Sequence, residues 1–191
     1  MSAIKESITY FEKGGPDNTL ETLRLAVAEA KRLGIKKLVA ASSTGFTAEA
    51  LMGMKEAEGL DITIVTSVYT DQEPYNRLSE EKRRAFIEKG FHVCTAGHAL
   101  SSSERSISGT FHGAYPAEIM AHALRMIGRG TKVCLEIGAM ACDAGYIRAG
   151  ESVMAVAGSG GGADTAVVLR PYPSATILKT KVDRFVCKPI D

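Results

Sequence analysis

Residues 37–51, KLVAASSTGFTAEAL, pass through three local patterns in a short space. Leu38 to Ala41 is an uninterrupted apolar run, the mark of a strand buried on both faces. Ser42, Ser43, Thr44 and Gly45 form a hydroxyl-rich turn. From Phe46 or Thr47 the residues favour helix, as far as about Ala57. A strand, a polar glycine turn and a helix in that order make an anion site. The first N–H groups of a helix lack partners within it, and the helix dipole places partial positive charge there. Serine and threonine hydroxyls add donors, and Gly45 lets the backbone come close. One such residue would be an ordinary helix cap. Four hydroxyls around a glycine (Ser42, Ser43, Thr44 and Thr47) point to a ligand, and a phosphate monoester suits the site.

Working outward, strands and helices alternate. Ile8 to Phe11 reads as a short strand, EKGGPDNT as a turn, and Leu20 to Leu33 as an amphipathic helix ended by Gly34. Ile62 to Thr66 is a β-branched strand, 79–89 a helix with Ser79 as its cap, and Phe91 to Thr95 a strand. TAGHALSSSERSISGTFHGAYP has little periodicity and reads as a long functional loop. Helices are expected at 116–127 and 131–148, strands at 152–157 and 165–169, and an edge strand within 176–186. This is a single α/β domain over 1–191. It has three layers, with a mainly parallel sheet, helices on both faces and an antiparallel strand at one edge. The strand pair joined by GSGGGAD is too closely spaced for a crossover and must be a hairpin.

Ligands of open α/β sheets sit at the carboxyl ends of the strands. Four segments fall there: the hydroxyl loop, Thr66 and Ser67, the stretch from Thr95 to His98, and the turn Ser159, Gly160, Gly161, Gly162, Asp164, Thr165. They are expected to converge on one crevice.

The chain has 191 residues, 45% of them apolar and 24% charged, with a net charge of +1. That balance gives no footprint for nucleic acid. No apolar run is long enough to span a bilayer, and the N-terminal residues do not form a signal peptide. The expected location is the cytoplasm. Cysteines 94, 134, 142 and 187 lack CxxC spacing and read as reduced core residues. His92, His98, His112 and His122 lack a compact metal spacing, so no metal is expected. His98 alone follows a strand end, where it can serve as acid, base or ligand contact. Gly158 to Ala163 fits the letters GxGxxA, but a strand follows where a dinucleotide site needs a helix. No P-loop or GxSxG elbow occurs. Glu12 and Lys13, beside the first turn, read as surface charges.

The order of elements resembles the C-terminal α/β domain of pyruvate kinase over residues 17–170. RLAVAEAKRLGIKKLVAASSTGFTAEAL is similar to that domain's first helix, first strand and sugar-phosphate loop. KVCLEIGAMACDAGYIRAGESVMAVAG resembles its last long helix and fourth strand, and GSGGGADTAVVLRP its effector loop and antiparallel fifth strand. The resemblance implies phosphate-binding roles for Ser42, Ser43, Thr44, Gly45 and Thr47, and a covering role for Ser159 to Thr165. The catalytic barrel of pyruvate kinase has no counterpart here, so that activity is not expected. The YFEKGGPDNT opening and the TAGHALSSSERSISGTFHG loop depart from the kinase domain. They are similar to free-standing prokaryotic proteins of this type, which implies FMN as a ligand.

The expected function is therefore binding of a phosphorylated small molecule, FMN first. A single compact phosphate loop suits a mononucleotide, the glycine turn offers a flat wall, and Thr66, Ser67, Thr95 and His98 offer partners for a polar ring edge. With no tryptophan, stacking falls to Tyr, Phe or His. Two rivals stand beside it. One is a sugar-phosphate sensor; the other is a hydrolase or isomerase using His98 or Asp164 for proton transfer. A homo-oligomer is compatible with the sequence, which does not fix the oligomeric state.

Overall fold

Consecutive apolar residues of the strand at 37–41 enter two different cores, and this sets the layering. The computed structural model describes residues 3–191; Met1 and Ser2, part of the single-domain reading, lie outside the described residues. In chain order it runs β1 (Thr9–Phe11), α1 (Thr19–Arg32), β2 (Lys37–Ala41), α2 (Phe46–Met52), β3 (Asp61–Thr66), α3 (Glu80–Glu88) and β4 (His92–Thr95). There follow α4 (Ser102–Phe111), α5 (Pro116–Arg125), α6 (Arg129–Asp143), β5 (Val153–Ala157), β6 (Thr165–Arg170) and β7 (Lys181–Pro189). Leu38 and Ala40 of β2 pack with Leu23 of α1, Leu51 of α2 and Phe86 of α3. Val39 points the other way, towards Cys134, Ile137 and Met140 of α6. β5 divides alike, Met154 and Val156 to one core, Val153 and Ala155 to the other. Strands buried on both faces explain the continuous apolar runs.

The sheet order is β1-β7-β6-β5-β2-β3-β4. β2 lies parallel to both β3 and β5, and β4 extends the sheet beside β3. β6 is antiparallel to β5 and to β7, and β1 is parallel to β7. Only β6 is therefore reversed among the described strands. The hairpin marks the antiparallel side of the sheet as expected, but that side runs two strands further. The strand expected within 176–186 begins at Lys181, because Ser174–Lys179 forms a 3-10 turn that reverses the chain after β6.

Three other expectations need correction. α2 stops at Met52, where the Gly53 N–H bonds to the Glu49 carbonyl and the Met54 N–H to that of Leu51, and a separate 3-10 turn spans Lys55–Ala57. α6 ends at Asp143, because Gly145 takes a left-handed conformation (φ 79°) and Tyr146 N–H reaches back to Ala141. The stretch expected to be an irregular loop contains α4. That helix buries none of its residues, so no apolar period announces it. Instead, its Glu104 carboxylate accepts the Ala117 and Glu118 N–H groups at the start of α5, at 3.1 and 2.8 Å.

All four cysteines are free and buried. No helix among the described residues is long and apolar enough to cross a membrane. The chain leaves β2 for β3 on one side and returns to β5 on the other. The carboxyl ends of β2 and β5 thus flank a topological switch point.

Candidate functional site

The hydroxyl loop is fastened at its base. Ser42 N–H bonds to Val65 of β3 at 2.9 Å, and buried Ser42 Oγ accepts the Ala48 N–H at 3.2 Å. Ser42 therefore supports the first turn of α2. Gly45 has φ 93°, and a side chain there would press on Lys82, Leu78 and Phe86. Beyond this base the loop is open. Among the described residues, the backbone N–H groups of Ser43, Thr44, Gly45, Phe46 and Thr47 have no protein acceptor. α2 is seven residues long, so its dipole adds less than a longer helix would. The donors that count are the free N–H groups and the Ser43 and Thr44 hydroxyls.

The glycine turn faces this loop from the end of β5. Its anchor is Asp164, fully buried, whose Oδ2 accepts Gly15 N–H, Ser159 N–H and Ser159 Oγ at 2.9, 3.1 and 2.6 Å. Its Oδ1 accepts the Thr165 hydroxyl at 2.8 Å. The Thr19 hydroxyl accepts Ala163 N–H at 2.9 Å. Gly161 and Gly162 take φ 93° and 66°, which favours glycine at both. A side chain on Gly162 would strike Pro16 and Thr19, whereas one on Gly160 would meet open space.

A third wall comes from the ends of β3 and β4 and the face of α6. Thr66 Oγ1 lies 2.7 Å from Thr95 Oγ1, which accepts from Arg83 Nη1 at 2.9 Å. Glu136 of α6 is buried. Its Oε2 accepts from Lys132 Nζ at 2.6 Å and lies 3.5 Å from His98 Nδ1; its Oε1 accepts Leu100 N–H at 3.1 Å. Burial works to raise the Glu136 carboxyl, but the His98 and Lys132 hydrogen bonds and the Lys132 charge outweigh it and bring it to about 2.

These walls enclose a crevice of about 370 Å³. Ser42, Ser43, Thr44, Thr47, Thr66, His98, Gly160, Gly161 and Gly162 line it, as expected from the sequence. Gly45, Ser67, Thr95, Ser159, Asp164 and Thr165 do not line it and stand behind its surface. The Ser67 hydroxyl is buried without a partner, while its carbonyl accepts from Asn76 Nδ2 at 2.8 Å. Asp164 is not among the lining residues and both its oxygens accept from the turn, which argues against proton transfer there.

Of the lining residues outside the expected set, three bring aromatic or charged groups. Phe46 is half exposed and supplies an aromatic face. Arg77 is an exposed guanidinium without an ion-pair partner among the described residues. Glu136 was hidden in a helix read as apolar; its i, i+4 spacing to Lys132 on a buried face was the available signal. No three His, Cys, Asp or Glu side chains among the described residues gather as metal ligands would. A broader groove of about 950 Å³ lies at the opposite strand ends, where Glu6, Arg170, Asp183 and Arg184 are tied up in ion pairs.

A solved structure described as "Crystal structure of O-ureido-L-serine synthase" is 17% identical with a TM-score of 0.31. The match covers 72% of this chain and 50% of that one, so the chain spans about half its length. The family model described as "Pyruvate kinase, alpha/beta domain" matches residues 21–169. With most of its length inside that match, the chain belongs to the pyruvate kinase α/β domain family.

Proposed function

We propose that the crevice binds a phosphorylated small molecule, with FMN as the leading candidate. The observation that carries this reading is the run of five unpaired backbone N–H groups from Ser43 to Thr47, opposite a glycine turn and within one crevice. Successive free N–H groups of this kind make an anion-binding concavity. Arg77 adds a charge able to meet two phosphate oxygens at once. In this reading the phosphate lies on residues 43–47 and the ring lies between Phe46 and Gly160. FMN, when bound, supplies electron-transfer chemistry; the protein's residues hold and orient it. The sugar-phosphate reading is favoured by one observation: about 370 Å³ is near the lower limit for small-molecule sites.

Mass spectrometry of whatever leaves the purified protein on denaturation, and titration of FMN and riboflavin, test the proposal. FMN is expected to bind at micromolar levels or tighter, and riboflavin at least tenfold more weakly, as loss of even one charged hydrogen bond of about 1.5–3 kcal/mol requires. Equal affinities would detach the loop from the flavin. Binding of neither, with a sugar phosphate binding instead, would transfer the site to the second reading.

A further inference from the structure

The buried pair Lys132–Glu136 does something specific to His98. Both residues are more than nine-tenths buried, and Glu136 Oε2 receives Lys132 Nζ while facing His98 Nδ1. Its other oxygen is occupied by the Leu100 N–H. A carboxylate so fixed is ionised and can only accept. The His98 nitrogen that faces it must therefore carry the proton. No protein group is paired with His98 Nε2 among the described residues, and the imidazole is partly exposed to the crevice.

From this geometry we propose that Glu136 holds His98 as the Nδ1–H tautomer. Its Nε2 lone pair then accepts a hydrogen bond from a ring N–H or hydroxyl of the ligand, at the end away from the phosphate. The ligand class is thus narrowed to phosphorylated compounds that carry such a donor. The imide N3–H of a flavin is one. Glu136 is a positioning residue, because it acts through His98. Lys132 balances its charge and keeps it an acceptor at neutral pH. The low value of about 2 for the Glu136 carboxyl agrees with that assignment. The ligand part rests on the phosphate-site reading above; the tautomer part does not.

Two measurements separate them. In ¹⁵N NMR of imidazole-labelled protein without ligand, neutral His98 should show a protonated Nδ1 and an unprotonated Nε2. Glu136→Gln, whose amide can donate as well as accept, should populate the opposite tautomer. If that variant does not fold, the double substitution Lys132→Met with Glu136→Gln removes both buried charges together and should give the same shift. A wild-type Nε2–H tautomer, or a tautomer indifferent to Glu136, overturns the proposal. In the second measurement, FMN and N3-methyl-FMN are titrated into wild type and His98→Ala. The methylated ligand should bind about tenfold more weakly than FMN to wild type, and equally to the variant. FMN binding without that discrimination overturns the His98 contact alone. Failure of FMN to bind overturns the ligand assignment together with the phosphate reading, and leaves the tautomer to the NMR result.

Discussion

Arg77 and Gly160 are the residues through which the crevice is best probed, because neither holds the fold together. Arg77→Met should weaken FMN about tenfold or more and leave riboflavin unchanged, since it removes a charged donor from the phosphate end. Ser43→Asp or Thr44→Asp should act in the same sense by repulsion. Titration of the two ligands into each variant checks this, and unchanged FMN affinity in all three would remove the phosphate from the loop. Gly160→Val adds bulk towards open space and should block the ligand while leaving thermal stability intact. Gly162→Ala should do the reverse. It forces a side chain onto Pro16 from a backbone at φ 66°, and a loss of about 1–3 kcal/mol should appear in urea unfolding. Glu136 adds a pH signature. Its folded value of about 2 lies below its ordinary 4.5, so it stabilises the fold above 4.5, and that contribution fades as pH falls towards 2. The loss should be on the order of 3 kcal/mol and absent from Glu136→Gln, as measured by urea unfolding across that window.

At the scale of elements, α4 is the instructive case. SSERSISGTF has neither a strong helix preference nor an apolar face, and a local reading makes it loop. Its order comes from a partner distant in sequence: Glu104 caps the start of α5, and the Ser108 hydroxyl donates to Glu118 at 2.6 Å. Glu104→Ala should therefore cost about 1 kcal/mol and speed amide exchange at both 102–111 and 117–119. Faster exchange in α4 alone would show that the two helices are independent. By contrast, Ser79 was legible because its cap is local; its Oγ accepts the Lys82 N–H at 3.3 Å. The same division holds in the crevice. The hydroxyl loop and the glycine turn announce themselves in consecutive residues. Arg77, Phe46 and the Lys132–Glu136 pair take their meaning from elements that fold beside them.

For the molecule as a whole, apolar runs and turn chemistry made the alternation of strands and helices readable, and with it the switch point between β2 and β5. The outer strands were harder. β1 has three residues, and nothing near it in sequence says that its neighbour is β7. Asp164 is the hinge between these distant parts, joining Gly15 of the first turn to Ser159 of the glycine turn. Asp164→Ala should release both, lowering the melting temperature by several degrees and abolishing ligand binding together. Loss of binding without loss of stability would instead make Asp164 a ligand contact.

The pairing of β1 with β7 also has a consequence for biosynthesis. A ribosome makes Thr9 long before Cys187, yet the two lie side by side. While the chain is being made, the β2–β3–β4 half of the sheet can assemble as it emerges, but the outer edge of β6 stays bare. The first turn can bond to Asp164 through Gly15 beforehand, but the tie from Asp191 to Gly14 waits for the residues that follow β7. The first turn, which borders the glycine loop, is thus fully fastened only once the β7 segment has been made, and a nascent chain stalled before it would hold β1 and the first turn without these distant partners.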